Sequence, residues 1–405
     1  MQAMASKNKT TSDGGAWESF VVFLRLGLTS FGGPVAHLGF FREVFVARRQ
    51  WLDEQAYADL VALCQFLPGP ASSQVGFAIG YIRSGLTGAF AAWLGFTLPS
   101  AVIMIGCAYG LAFVDTGASW IHGLKIAAVA VVAHAIWGMA GKLCPDLSRA
   151  CLAIMAAVIV TLISTAWIQA AVIAMGLFIG WIFFQNKAAV TPFVANRVNS
   201  NIRSGWQAHS ALLLVGVAFI LLPILAWWQS DLWWQMIAGF YQAGLLVFGG
   251  GHVVLPLLEA QTVGRGWMSA DSFLAGYGAA QALPGPLFTL AAYLGTVINP
   301  LGWGWFGGVL ALIAILIPSM LLVIGTLPHW DHLRRMPTAQ AALTGANASV
   351  VGILLAAFYQ PVFSSGVTSL TALAMAVAGF FALQFWKLPA WALVGCCGLL
   401  GAWLL

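Results

Sequence analysis

The 405-residue chain is 61% hydrophobic and only 7% charged, with 45 Gly, 19 Trp and a formal net charge of +5, and its mean hydropathy is +0.90. A water-soluble domain carries roughly a quarter charged residues, so these values exclude one and describe a polytopic membrane protein. The positive balance does not point to nucleic acid, because the Lys and Arg lie in short segments between apolar runs, the distribution that orients membrane helices.

Residues 1–15 are polar, contain Lys7 and Lys9 and lack a cleavable apolar core, which reads as a cytoplasmic tail. An apolar run from Trp17 stops at Thr29-Ser30-Phe31-Gly32-Gly33-Pro34 and resumes as an amphipathic stretch, 35–49, carrying Arg42, Glu43, Arg48 and Arg49. After a polar bridge at 51–55, a second run is broken by Gln65-Phe66-Leu67-Pro68-Gly69-Pro70, with Ser72 and Ser73 following at once. Proline removes a backbone donor and clashes with the preceding turn, and glycine opens conformations closed to other residues. The hexapeptide therefore ends one helix and lets another begin at Pro70. Each arm is about 13 to 16 residues, roughly 20 to 24 Å of helix, short of the ~30 Å hydrocarbon core, and fits a re-entrant hairpin. Full spans are expected at 85–113, 120–141, 149–164 and 165–184. A polar linker at 185–207, cytoplasmic in this reading, leads to a further span at 208–228.

The pattern then repeats. Residues 234–248, the break Gly249-Gly250-Gly251 and 252–263 echo the first hairpin, and 267–283 with 286–298 echo the second through Gln281-Ala282-Leu283-Pro284-Gly285-Pro286. Spans follow at 301–327, 338–358, 367–386 and 388–405. Phe31-Gly32-Gly33 matches Phe248-Gly249-Gly250, Glu43 matches Glu259, Trp51 matches Trp267, Gln65 matches Gln281, and Leu98-Pro99-Ser100 matches Ile317-Pro318-Ser319, at offsets between 216 and 219. The expected fold is all-α, with nine spans and four re-entrant segments, about 13 in all, in two repeats of inverted topology. Its divisions are a tail at 1–15, a first repeat at 16–185, a linker and inverting span at 186–229, and a second repeat at 230–405. Inversion places fourteen of the seventeen Lys and Arg on the cytoplasmic side, with Arg25 and Lys125 inside the membrane and only Arg265 outside. The N-terminus is then cytoplasmic and the C-terminus on the far side.

Inverted repeats with paired broken helices describe a secondary transporter whose binding site lies at the breaks. Helices starting at Pro34, Pro70, Gly251 and Pro286 would aim uncapped N–H groups at one pocket and favour an anion. The candidate lining is Arg25, Ser30, Gly32, Gly33, Pro34, His37, Gln65, Pro68, Gly69, Pro70, Ser72, Ser73 and Lys125 from the first half. The second half supplies Gly249, Gly250, Gly251, His252, Gln281, Pro284, Gly285 and Pro286. Arg25 and Lys125 are the full charges within the membrane, either functional or paired with a carboxylate such as Glu43, and Arg25 is close enough to Trp17 to snorkel instead. Glu43 and Glu259 either carry a coupling proton or pair with the nearby Arg42 and Arg265. His37 and His252 either titrate or donate to the anion, or are hydrogen-bonded core residues, and His134 is structural. Gln65 and Gln281 contact substrate or cap freed backbone groups, with Asn347 a weaker candidate. Gly80, Gly88, Gly95 and Gly106 are read as helix-packing residues. The six cysteines show no metal spacing and read as small apolar residues.

The Phe-Gly-Gly break, the Trp51-Leu52 bridge, the Gln65 to Pro70 motif and their second-half echoes resemble the chromate ion transporter family in its long form with two fused homologous halves. The resemblance spans roughly residues 17–358. It implies a bacterial inner-membrane carrier that expels chromate from the cytoplasm, driven by the membrane potential or an ion gradient, and so confers chromate resistance. The residues alone give the transporter architecture and the anion preference, and leave sulfate or another oxyanion open. A passive anion channel and a membrane enzyme acting on lipid-linked substrates are the other classes. The enzyme lacks support, since no His/Asp cluster or nucleophile with a spaced base is present in the sequence. No cofactor or metal is called for. A homodimer is compatible, although the fused halves suffice for one site.

Overall fold

The computed structural model describes residues 15–112, 118–163, 165–185, 205–298, 304–333 and 336–404. The expected tail up to residue 14, most of the expected linker (186–204), Asp115 and the Arg334–Arg335 pair lie outside the described residues. Every described element is helical. The first half comprises α1 (Ala16–Thr29), α2 (Gly33–Arg42), α3 (Glu54–Phe66), α4 (Ala71–Ala112), α5 (Ser119–Leu143), α6 (Leu147–Leu162) and α7 (Ala166–Phe183), followed by α8 (Trp206–Gln229). The second comprises α9 (Leu232–Leu245), α10 (Val254–Thr262), α11 (Ala270–Ala282), α12 (Leu290–Val297), α13 (Trp305–Thr326), α14 (Trp330–Leu333), α15 (Pro337–Ala357), α16 (Ser364–Gly366), α17 (Leu370–Gln384) and α18 (Ala390–Leu404). Among the described helices, five segments are long and apolar enough to cross a membrane, namely Ala71–Leu111, Ser119–Leu143, Trp206–Gln229, Trp305–Leu333 and Pro337–Gly366, and several shorter ones are apolar.

Helix ends fall where the local chemistry puts them. Asp53 accepts from the Ala56 amide to start α3, and the matching Ser269 accepts from the Ser272 amide to start α11, so each bridge between hairpins ends in the same cap. Two features were not anticipated. α2 runs on as a π-helical stretch, Glu43–Arg48, whereas the stretch after α15, Phe358–Phe363, is kinked at Gln360, whose backbone is extended. α4 kinks at Ser84 and Gly85, where Gly85 takes a φ of +66 that a side chain would resist. Its two limbs then fold back on each other. A Cβ on Gly80 would collide with the Gly88 carbonyl oxygen, so only glycine allows the approach. Gly95 is equally crowded, against the Phe20 carbonyl of α1, whereas Gly106 has open space around it and is not a packing glycine.

The halves are interlocked. α5 packs on α17 and α18 of the second half, while α15 packs on α6 and α7 of the first. Small residues mediate both contacts, Gly123 against Cys397 and Gly401, and Gly345 against Gly176 and Gly180. Within each half the contacts recur in equivalent places. Gly27 of α1 abuts the backbone of Phe96, as Gly244 of α9 abuts that of Ile315, and Gly80 meets Gly88 as Gly295 meets Gly307. Between them lies the largest buried cluster, in which Phe23, Phe41, Phe45 and Phe96 stack on one side and Phe240, Phe273, Tyr277 and Tyr293 lie on the other.

Candidate functional site

Two backbone hydrogen bonds define the centre of the molecule. The Gly69 amide, at the tip of the α3–α4 break, donates to the Val247 carbonyl at 2.7 Å, and the Gly285 amide, at the tip of the α11–α12 break, donates to the Ser30 carbonyl at 2.9 Å. Gly69 corresponds to Gly285 and Ser30 to Val247, so the halves exchange the same bond. Side-chain contacts repeat the exchange. A Cβ on Gly69 would meet Ser319 Cβ at 2.7 Å, and one on Gly285 would meet the equivalent Ser100 Oγ at 2.7 Å. Both glycines hold positive φ, +119 and +95, which frees the backbone to turn its amide across the interface. The other two breaks also touch, since a Cβ on Gly251 would lie 3.1 Å from Pro34 Cγ, its own counterpart. Equivalent residues in mutual contact mark a two-fold relation, with all four breaks gathered about it.

Around this centre the first half presents polar groups. His37 is buried, and its Nε2 donates to the Ser30 carbonyl at 3.1 Å while Nδ1 stands 3.3 Å from Ser72 Oγ. The ring rests edge-on against Phe96. Gln74 Nε2 donates to the Pro68 carbonyl at 2.8 Å, which leaves Gln74 Oε1 without a partner. Ser30 Oγ, Ser73 Oγ and Thr97 Oγ1 are buried and, like Gln74 Oε1, unmatched among the described residues. Buried polar atoms without partners are uncommon and costly, so their grouping beside the breaks suits a polar guest. Gly32, Gly249 and Gly250 are exposed although Ser30, His37 and Val247 beside them are buried. Among the described residues no side chain caps α2 or the 3-10 turns at Gly251–Val253 and Leu287–Thr289, which lead into α10 and α12 from Gly250 and Pro286. Pro34 sits in the first turn of α2, and Gly33 adopts a φ of +75. Pro70, Pro284 and Pro286 are buried at the tips.

Other residues join or leave this group. His252 Nδ1 lies 2.9 Å from the Tyr277 hydroxyl, a partner His37 does not have. Asn347 of α15 and Leu143 and Met139 of α5 close over Gly249 and Gly250. Gln74, Thr97 and Tyr277 were missed from the sequence, where they read as scattered polar positions in apolar runs. Gln65 is exposed rather than turned into the centre. Arg25 lies on the exposed face of α1 and makes no ion pair among the described residues. Lys125 is buried and bonded through Nζ to Asp271 at 2.8 Å. Gly278 packs on Leu124, and Asp271 lies about 10 Å further along α11, away from the break at Leu283. Its partner is Asp271, not Glu43. Glu43 pairs with Arg48 at 2.9 Å, not with Arg42, which pairs with Glu54 at 2.6 Å. Arg265 stacks over Trp267, as Arg49 does over Trp51, and makes no ion pair with Glu259.

The sequence profile of a family described as Chromate transporter matches residues 17–181 and 234–402, one copy in each half. A chromate transport protein of Pseudomonas aeruginosa is 28% identical over 377 residues, covering 91% of this chain and 87% of the relative. An uncharacterized transporter of Methanocaldococcus jannaschii is 27% identical over 341 residues, 83% of this chain and 82% of the relative. An uncharacterized transporter of Bacillus subtilis is 33% identical over 127 residues, only 31% of this chain but 69% of the relative, a match of about one half. No solved structure matches the chain. With both of its halves matched, this multi-pass helical membrane protein belongs to the chromate transporter family.

Proposed function

We propose that the chain is a secondary active transporter that exports chromate from the cytoplasm across the bacterial inner membrane and so confers chromate resistance. In this reading the two halves are inverted repeats, the N-terminus is cytoplasmic and the C-terminus periplasmic. The carrying observation is the reciprocal bonding of the Gly69 and Gly285 tips to the opposite half, which gathers four helix breaks at one place. Helix N-termini attract a tetrahedral dianion through aligned amides without holding it as firmly as fixed charges would, so it can leave again. The unmatched hydroxyls of Ser30, Ser73 and Thr97 would supply the remaining donors. Similarity to the chromate transport protein of Pseudomonas aeruginosa supports chromate as the anion.

Purified protein in liposomes tests the reading by comparing chromate and sulfate flux under imposed pH and potential gradients. Chromate accumulation against its own gradient is expected. Flux that follows only the anion gradient would make the protein a channel, and a preference for sulfate would change the substrate.

A further inference from the structure

A cavity of about 500 Å³ opens away from the breaks between α6, α7, the end of α10 and the end of α15. Its polar lining is Thr161, Thr165, Gln169, Glu259, Arg265 and Gln360. Comparison of the halves explains why it exists. Glu43 and Glu259 are equivalent, and Glu43 is held by Arg48 five residues later at 2.9 Å. The residue five after Glu259 is Gly264, which itself lines the cavity. The arginine side chain that would neutralise the carboxylate and fill the space is therefore missing in the second half. Glu259 is half-buried and forms no ion pair among the described residues. Among them, Arg265 is the only other charged group on the cavity wall, and it is drawn onto the Trp267 ring at 5.2 Å. α7 and α15 contribute only the neutral amides Gln169 and Gln360, and Gln169 Nε2 is already committed to the Pro256 carbonyl at 3.1 Å.

We propose that Glu259 is the proton-carrying group of the transport cycle, loaded through this cavity. The inference rests on the reading above, because the topology proposed there puts the α6–α7 turn, residues 259–265 and Gln360 all on the outer side. The carboxylate takes one proton from outer water to become a neutral acid and releases it to the cytoplasmic side as the anion leaves, so proton entry accompanies anion exit. Glu43, tied to Arg48 and exposed, has no such freedom.

Two measurements on the full-length protein test this. Dicyclohexylcarbodiimide, which attacks protonated carboxyls in apolar surroundings, should label Glu259 faster at low pH and leave Glu43 unlabelled. Equal labelling of both, or none at Glu259, overturns the proposal whether or not chromate is carried. In liposomes, Glu259→Gln should lose the response of chromate flux to an imposed pH gradient. Gly264→Arg, which restores the first-half pair, should do the same. An unchanged pH response in Glu259→Gln, or a dependence on sodium instead, overturns it as well. If wild-type liposomes move no chromate, the proposed function fails while the labelling result still decides this one.

Discussion

Gly69→Ala is the most discriminating substitution, because space and backbone act on it separately. At a φ of +119 a side chain is strained by about 1–3 kcal/mol. The new methyl would also stand 2.7 Å from Ser319 Cβ and 2.9 Å from Gln74 Nε2, an overpacking of about 1–3 kcal/mol more. A tip that moves to escape gives up the bond to Val247, worth about 1 kcal/mol net. Even about 2 kcal/mol shifts the balance between native and displaced tips roughly thirtyfold, so chromate flux into liposomes should fall at least tenfold. Gly85→Ala is the control. Gly85 has a φ of +66 but nothing within 4 Å of its would-be Cβ, so only the backbone strain applies and the site is untouched. Gly285→Ala should be milder than Gly69→Ala, since the group it meets is the Ser100 hydroxyl, which can rotate, whereas Ser319 Cβ cannot. Protein stability can be followed with a thiol-reactive dye on the buried Cys64 and Cys397. Wild-type flux in Gly69→Ala, indistinguishable from Gly85→Ala, would refute a close-fitted tip.

Asp271→Ala should destabilise the protein by about 3 kcal/mol, the low end for breaking a buried pair, because the Lys125 side chain is 7% exposed and Asp271 46%. Lys125→Met with Asp271→Leu should recover most of that, and full chromate flux in the double variant would remove any charge role for Lys125. Arg25→Ala should change stability by less than about 0.5 kcal/mol, as an exposed unpaired residue, while lowering flux in a way Arg25→Lys does not; unchanged resistance in cells would take Arg25 off the anion path. Cysteines at positions 34 and 251, in a background lacking the six native ones, should cross-link under mild oxidation. Failure to do so would separate the two Phe-Gly-Gly breaks.

The sequence exposed what backbone chemistry governs and hid what depends on distant partners. Proline and glycine positions located the breaks and most helix ends, for the ends of α3, α11 and α15 fall within a few residues of the expected boundaries. The exchange of α17 and α18 onto α5, and of α6 and α7 onto α15, was invisible, because apolar helices of similar composition carry no label for their neighbour. Charge pairing failed for the same reason. Lys125 and Asp271 are 146 positions apart, and no local pattern connects them. The Glu43–Arg48 pair, at a spacing of five, depends on the π-helical turn, which brings i and i+5 onto one face where an α-helix would not.

What the repeats retain and what they lose bears on the topology. Retained are the features that set backbone approach, namely Gly27 and Gly244, Gly69 and Gly285, Ser100 and Ser319, and the caps Asp53 and Ser269. The stacked Arg49–Trp51 and Arg265–Trp267 pairs persist as well. Lost are basic residues near the hairpin ends, since Arg42, Arg48 and Arg83 correspond to Leu258, Gly264 and Asn299. Substrate binding gives no reason for that, as these positions lie away from the breaks. The proposed inversion would, because the second pair of hairpins would then enter from the outer face, where Arg and Lys are disfavoured. Glu18, which holds Arg49 and Arg83, becomes Gln235 once one of its two partners is gone. Glu259 is the exception, a carboxylate retained after its arginine has disappeared. A membrane protein that keeps an unpaired acid beside an open cavity bears a standing desolvation cost, and the proton carriage proposed for Glu259 is a physical use that would keep it there.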